Sequence, residues 1–220
     1  SIKAVVKNNG NVVQIFLRDM CTTSVKGRKI VPEKEQKEIK KYIKKNDIEV
    51  FVHASYLINF CKIPVGLQRI QWAYKILGED MDLASKMGLD GVVVHMCSKK
   101  AVDEHWKPFI MSDQETQKKM VQHIRYFFKY FNPGVKLLLE NSASKKNKIG
   151  ATMESLGAVV KPLIKHNIGV CIDTCHAFSA GYPLDTVEGM KLLLTEFKKY
   201  VGPYSLISLV HLSLIHISEP

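Results

Sequence analysis

Five apolar runs in this chain each end in a residue able to bind a metal. They read Ile48-Glu49-Val50-Phe51-Val52-His53, Val92-Val93-Val94-His95, Leu137-Leu138-Leu139-Glu140, Gly169-Val170-Cys171-Ile172-Asp173 and Leu206-Ile207-Ser208-Leu209-Val210-His211. A single His at a strand end also reads as a hydrogen-bonded core or rim histidine. Glu140 and Asp173 each also read as caps of a following helix. The joint pattern says more. A carboxylate behind three leucines is costly to bury unless it is paired or bound to a cation. Three His, one Glu and one Asp at equivalent strand ends therefore read as a metal cluster. Such ligands suit Zn2+, with Mn2+ or Fe2+ as substitutes. A bridging carboxylate in a His-rich shell points to two or more ions. Sites of that kind polarise a phosphoryl group, generate hydroxide at neutral pH and stabilise a leaving oxygen.

The elements that must position these residues follow from their spacing. The terminal residues are separated by 42, 45, 33 and 38 positions. A strand, a helix and two loops take up about that length, since a βαβ unit needs about 30 residues or more. Near-continuous apolar strands are what a parallel sheet buried on both faces requires. Parallel strands joined by helices all point the same way, so their last residues gather at one end of the sheet, where α/β barrels place their chemistry.

Further elements complete the rhythm. Val12–Leu17 reads as a strand, preceded by a loose segment over residues 1–10. Helices are expected over 32–45, 67–87 (ended by Gly88), from the capping box Ser112-Asp113-Gln114-Glu115 to Phe131, over 152–166 and over 186–200. Asn132-Pro133-Gly134 marks a turn, and the stretch after His95 reads as a polar loop. Six strands and five helices in alternation argue for α/β with a parallel sheet.

The bulk properties are compatible with a nucleic-acid partner. The chain has 220 residues, 46% of them hydrophobic, enough for one domain with a large core. Its net charge of +11 favours an acidic partner, and phosphates are the commonest. A solvated lysine-rich surface explains the charge equally well. Five scattered cysteines with no C-x-x-C pair fit a reduced intracellular protein, in cytoplasm, nucleus or virus rather than secreted. Cys171 and Cys175 read as packing residues. No apolar stretch is long enough for a membrane span, and no signal peptide is visible. After Glu140, Ser144-Lys145-Lys146-Asn147-Lys148 places Lys145, Lys146 and Lys148 where they could meet a DNA backbone. Tyr56 and Leu57, just past His53, read either as core or as a wedge entering a base stack.

At these segments the sequence resembles the endonuclease IV family of apurinic/apyrimidinic endonucleases. The shared motifs are His53-Ala54-Ser55-Tyr56-Leu57-Ile58-Asn59, Val94-His95 with Ser98, Leu138-Leu139-Glu140-Asn141, and Gly169-Val170-Cys171-Ile172-Asp173-Thr174-Cys175-His176-Ala177-Phe178 with Ala180-Gly181-Tyr182. The likeness runs from about Val12 to Leu212. It implies a TIM (β/α)8 barrel, incomplete here with about six strands, and a trinuclear zinc site. His53, His95, Glu140, Asp173, His176 and His211 would be zinc ligands, with Glu140 the bridging and catalytic carboxylate. Tyr56 and Leu57 match positions that enter DNA at the lesion. The implied reaction is zinc-dependent hydrolysis of the phosphodiester 5′ to an abasic site in double-stranded DNA, in base excision repair. It leaves a 3′-hydroxyl and a 5′-deoxyribose phosphate. The expected protein acts as a monomer, away from membranes.

The departures from the family pattern are specific. Nothing corresponds to a first barrel strand. The DNA-penetrating arginine has no match in Phe16-Leu17-Arg18-Asp19-Met20-Cys21. Past Leu212 the family's Asp-x-His ligand pair is absent, and residues 213–220 match nothing in it. The expectation is a partial barrel domain over 1–212 followed by a non-native tail. Two rivals stand beside this reading. One is a metal-dependent sugar isomerase or epimerase, which shares the barrel and its ligand types. The other is an inactive DNA-binding fragment.

Overall fold

The computed structural model describes residues 2–20, 31–62, 71–103, 105–143 and 147–212. Lys145, Lys146, the 213–220 tail, Cys21 and the expected helix start at 67–70 lie outside the described residues.

The chain alternates strand and helix. Its elements are α1 (Ile2–Lys7), β1 (Val12–Ile15), α2 (Glu33–Asn46), β2 (Glu49–His53), α3 (Gln71–Met87), β3 (Gly91–His95), β4 (Lys100–Val102), β5 (Pro108–Ile110), α4 (Asp113–Tyr130), β6 (Lys136–Glu140), α5 (Met153–Val160), β7 (Ile168–Asp173), α6 (Thr174–Ser179), α7 (Val187–Glu196) and β8 (Ile207–His211). Six strands form one parallel sheet in the order β1-β2-β3-β6-β7-β8, and β4 pairs with β5 in a separate antiparallel hairpin. This is the incomplete α/β barrel that the strand rhythm predicts.

Alternation within the strands builds two apolar layers. Val50, Val52, Val92, Val94, Leu137, Leu139 and Val170 face the helices and belong to the main core. Phe51, Val93, Leu138 and Cys171, with Leu209, form a second cluster on the other, concave face. The two edges of the sheet come within side-chain reach of each other: His211 Nε2 on β8 lies 2.6 Å from Gln14 Oε1 on β1.

The helices start and stop where local chemistry directs. Ser112 caps α4 through a complete capping box: its Oγ accepts from Glu115 N (3.2 Å) and its own N–H donates to Glu115 Oε2 (2.8 Å). Gly88 ends α3 with φ +69.

Four expectations are corrected. The 1–10 segment is not loose, since it holds α1. The polar loop after His95 contains the β4–β5 hairpin. The helix expected over 152–166 is α only to Val160, then 3-10 over Lys161–Leu163, because Pro162 cannot donate an α-helical hydrogen bond. The helix expected to Tyr200 changes at Phe197 into a π turn.

Candidate metal centre

Strand register delivers the donors to one place. His95 pairs with Glu140 and Asp173 with His211 across adjacent strands. His53 stands beside Val93, two residues short of His95, as the stagger of a curled parallel sheet requires. The sixth residue, His176, comes from α6. That helix begins where the Asp173 side chain accepts from His176 N (2.8 Å). Asp173 is thus both a helix cap and a member of the cluster.

Glu140 is the hub. Its side chain is 2% exposed and faces four imidazoles. Oε2 lies 3.1 Å from His95 Nε2 and 3.3 Å from His53 Nε2. Oε1 lies 2.9 Å from His211 Nδ1 and 3.7 Å from His176 Nδ1. Potential ligand atoms fall into three groups, each with all members within 4.8 Å: His53/His95/Glu140, Glu140/Cys171/His211 and Glu140/Asp173/His176. Glu140 belongs to all three.

The charge states follow from this packing. Burial alone would raise the Glu140 pKa, but hydrogen bonds with His211, His53 and His95 outweigh it and hold the carboxyl well below the usual range. Burial opposes the charged form of His211 too, yet bonds to Asp173, Cys171 and Glu140 push its pKa up to about 12. Burial lowers His95, keeping its ring neutral. Asp173 is held low, its burial offset by His211 and by the His176 N–H.

The donor set fits a divalent cation. His53 Nδ1 lies 2.8 Å from the Ala54 carbonyl, which only accepts, so Nδ1 carries the proton. The neutral ring then presents an Nε2 lone pair to Glu140 Oε2, and two lone pairs face each other unless a cation lies between. His176 Nδ1 likewise donates to the Asn141 carbonyl (2.9 Å), leaving Nε2 as its donor atom. Orientation of ligating imidazoles by such backbone carbonyls is the usual outer-shell device of metal sites.

Sequence reasoning missed several supporting residues. Asn141, fully buried, accepts from Asp173 N (2.6 Å) and donates to Asp173 O (3.0 Å), locking β6 to β7. Gln14 meets His211, and its polar side chain inside an apolar strand was the available signal. Phe16 packs against both His53 (5.5 Å) and Tyr56 (5.9 Å). Cys171 touches the cluster, but burial raises its thiol pKa and so disfavours the thiolate a metal needs. Arg18 is buried in an ion pair with Asp80 (2.8 Å) rather than offered to a ligand. Tyr182, from the motif block, packs instead of reacting: its hydroxyl donates to Glu196 and accepts from Met153 N.

Tyr56 and Leu57 sit at the rim, 45% and 42% exposed. The Tyr56 ring stacks on His95 (centroids 4.9 Å, 15° between planes) and meets His53 edge-on (4.8 Å). The loop is tied down by Tyr56 N–H and Ser55 Oγ–H, which both donate to the Met20 carbonyl at 3.0 Å.

A parallel α/β sheet with His and carboxylate donors converging at its C-terminal end defines a metallo-barrel of the xylose isomerase-like TIM barrel class, and the family model of that description matches residues 2–218. The fold is also that of endonuclease IV from Thermus thermophilus (TM-score 0.70, 23% identity, 96% of this chain and 69% of that one). A D-tagatose 3-epimerase-like protein shares it as well (TM-score 0.64, 20% identity, 96% and 70%). In sequence the chain is 30% identical to a probable endonuclease 4 of Halothermothrix orenii, over 92% of this chain and 68% of that relative. The chain belongs to the endonuclease IV family, and it spans about two thirds of the length of these proteins.

Proposed function

We propose that the protein hydrolyses the phosphodiester 5′ to abasic sites in double-stranded DNA, leaving a 3′-hydroxyl and a 5′-deoxyribose phosphate, and acts as a monomer in base excision repair. The observation that carries this reading is the stacking of Tyr56 on His95. A group that meets the exposed Tyr56 ring lies within a side chain's reach of the donor cluster. His53, His95, Glu140, Asp173, His176 and His211 would hold zinc, with Mn2+ or Fe2+ as substitutes. When bound, such ions polarise the scissile phosphoryl group and stabilise the leaving oxygen.

The chain's own residues do the rest. Glu140 is shared among the donor groups and fixes their spacing. The Ala54 and Asn141 carbonyls hold the His53 and His176 rings in orientation. Tyr56 and Leu57 enter the helix where a base is missing, since stacking is weakest there. Lys145, Lys146 and Lys148 meet backbone phosphates, supported by the net charge of +11. Recognition by missing base and deformability leaves little sequence preference. Family membership and basic charge favour this reading over the sugar-epimerase chemistry that the shared fold alone would allow. Among the described residues no helix is long and apolar enough to cross a membrane.

The test is cleavage of an end-labelled duplex carrying one abasic-site analogue, with added Zn2+ and a Glu140→Gln control. A single zinc-dependent cut 5′ to the lesion, absent in the control, is expected. An intact duplex beside a chain that zinc stabilises would overturn the activity.

A further inference from the structure

The β4–β5 hairpin belongs neither to the barrel sheet nor to the donor cluster, yet it stands beside both. Lys100 pairs with Ile110, Ala101 with Phe109 and Val102 with Pro108. Its base is stitched to the loop that follows Glu140. Lys99 N donates to Asn147 O (2.8 Å), Ile149 N donates to Cys97 O (3.2 Å), and Ser98 forms a β-bridge with Lys148. On its other side, β4 packs against the 3-10 turn Phe60–Lys62, which closes the Tyr56–Leu57 loop. The hairpin therefore stands between the two loops that border the cluster.

Its turn is built, not slack. Asp103 Oδ1 accepts from His105 N (2.9 Å) and Lys107 N (2.8 Å), and Asp103 N donates to Lys107 O (3.0 Å). Trp106 N donates to Asp103 O (3.1 Å). These bonds hold Trp106 at φ +63, a conformation a bulky side chain rarely adopts. Strain of this kind persists only where surrounding bonds over-determine it, and it concentrates at ligand clamps. The result is an indole carried at the hairpin tip, 46% exposed, with Phe109 at 44% and Ile110 at 58%. Lys100 and Lys107 are exposed on the same hairpin. Lys148 is close enough to the cluster to depress the His95 pKa, behind the larger effects of burial and neighbouring groups.

An apolar, aromatic tip among lysines asks for a partner that is both anionic and able to stack. Nucleic acid meets both requirements. We propose that the β4–β5 hairpin is a DNA contact that widens the binding face, with Trp106 packing on a base or sugar beside the lesion and Lys100 and Lys107 on phosphates. This rests on the endonuclease reading above.

Trp106 reports on itself. The chain has two tryptophans, so Trp72→Phe leaves Trp106 as the sole emitter. Intact and abasic-analogue duplexes are titrated in chelator, so that binding is read without cleavage. Saturable quenching of Trp106 is expected. Trp106→Gly should weaken binding about tenfold, within the range for losing one stacked base. Glycine accepts the positive φ, so its melting midpoint should hold, which separates lost contact from lost fold. Lys100→Ala and Lys107→Ala should each reduce the salt dependence of binding by about one unit of slope. Unquenched emission at saturation, with Trp106→Gly binding like the parent, would overturn the proposal even if the lesion is still cut. Quenching by both duplexes with no cut at the lesion would instead leave the hairpin contact standing and sink the endonuclease reading. A Trp106→Gly variant whose only change is in self-association would assign the tip to protein contact and overturn the proposal.

Discussion

Glu140→Gln should abolish metal-dependent stabilisation while leaving the metal-free fold nearly intact. The carboxylate belongs to all three donor groups, so the substitution weakens every one of them. The amide keeps the volume. Its NH2 can donate into the Nε2 lone pair of His53 or His95, replacing the opposed lone pairs with a hydrogen bond. Against that, the charge-assisted bond to His211 at 2.9 Å is lost, worth about 1.5–3 kcal/mol. The two effects oppose, so the metal-free variant should fall within about 2 kcal/mol of the parent. Metal binding has no such compensation. Outer-shell substitutions already cost about 10–100-fold in affinity, so about 100-fold is a floor for a shared ligand. At a Zn2+ concentration of about 100 times the parent Kd, the parent gains about 2.7 kcal/mol and the variant about 0.4 kcal/mol. For a chain of this size that is about 5–11 °C against about 1–2 °C in melting temperature. Thermal melts of both proteins, with chelator and with Zn2+, read the difference directly. Equal zinc-induced shifts would refute the shared-ligand argument.

The remaining predictions concern protons, charge and packing. The unfolded value for His211 is 6.5 and its folded pKa is about 12, so its stabilising effect in the metal-free protein is complete below pH 6.5 and fades as pH climbs toward 12. Zinc must displace that proton, so affinity should rise about tenfold per pH unit above 6.5, with about one proton released in calorimetry in two buffers; pH-independent binding would contradict this. Asp80→Asn should cost about 3–5 kcal/mol by leaving Arg18 buried and uncompensated, both side chains being 1% exposed. A denaturant series in which Arg18→Met with Asp80→Leu loses as much as the two single losses combined would show that the pair is not coupled. Gly157→Ala should lower stability by at least about 1–3 kcal/mol, since a Cβ there runs into the Tyr200 carbonyl; an unchanged urea midpoint would show that α5 can shift.

The sheet was legible because a strand buried on both faces leaves an unmistakable apolar run, and because the donors close those runs. The meeting of His53, His95, Glu140, Asp173 and His211 followed from parallel direction alone. His176 was not readable from periodicity; only the family motif placed it, because α6 is a single short turn capped by Asp173. The hairpin escaped notice for a different reason. Its strands are three residues each, one begins with Pro108, and neither shows an alternation long enough to register. Asn141 and Gln14 were out of reach because their importance lies in which distant group they meet. Arg18 in sequence looked only like a mismatch to a family arginine. Its burial against Asp80 depends on α3 crossing the end of β1.

The bond between Gln14 and His211 spans 197 positions of sequence and joins the first strand of the sheet to the last. A chain is synthesised from its N-terminus, so Gln14, His53, His95, Glu140, Asp173 and His176 all exist before His211 does. Until then Glu140 is a buried anion without its shortest partner, and the sheet has no seam across its open side. Metal uptake is thereby timed to a late moment in the ribosome's passage along the message. A stalled product stopping short of His211 carries most of the donors but not the arrangement, so quality control meets an unsealed barrel rather than a nuclease loose among intact DNA.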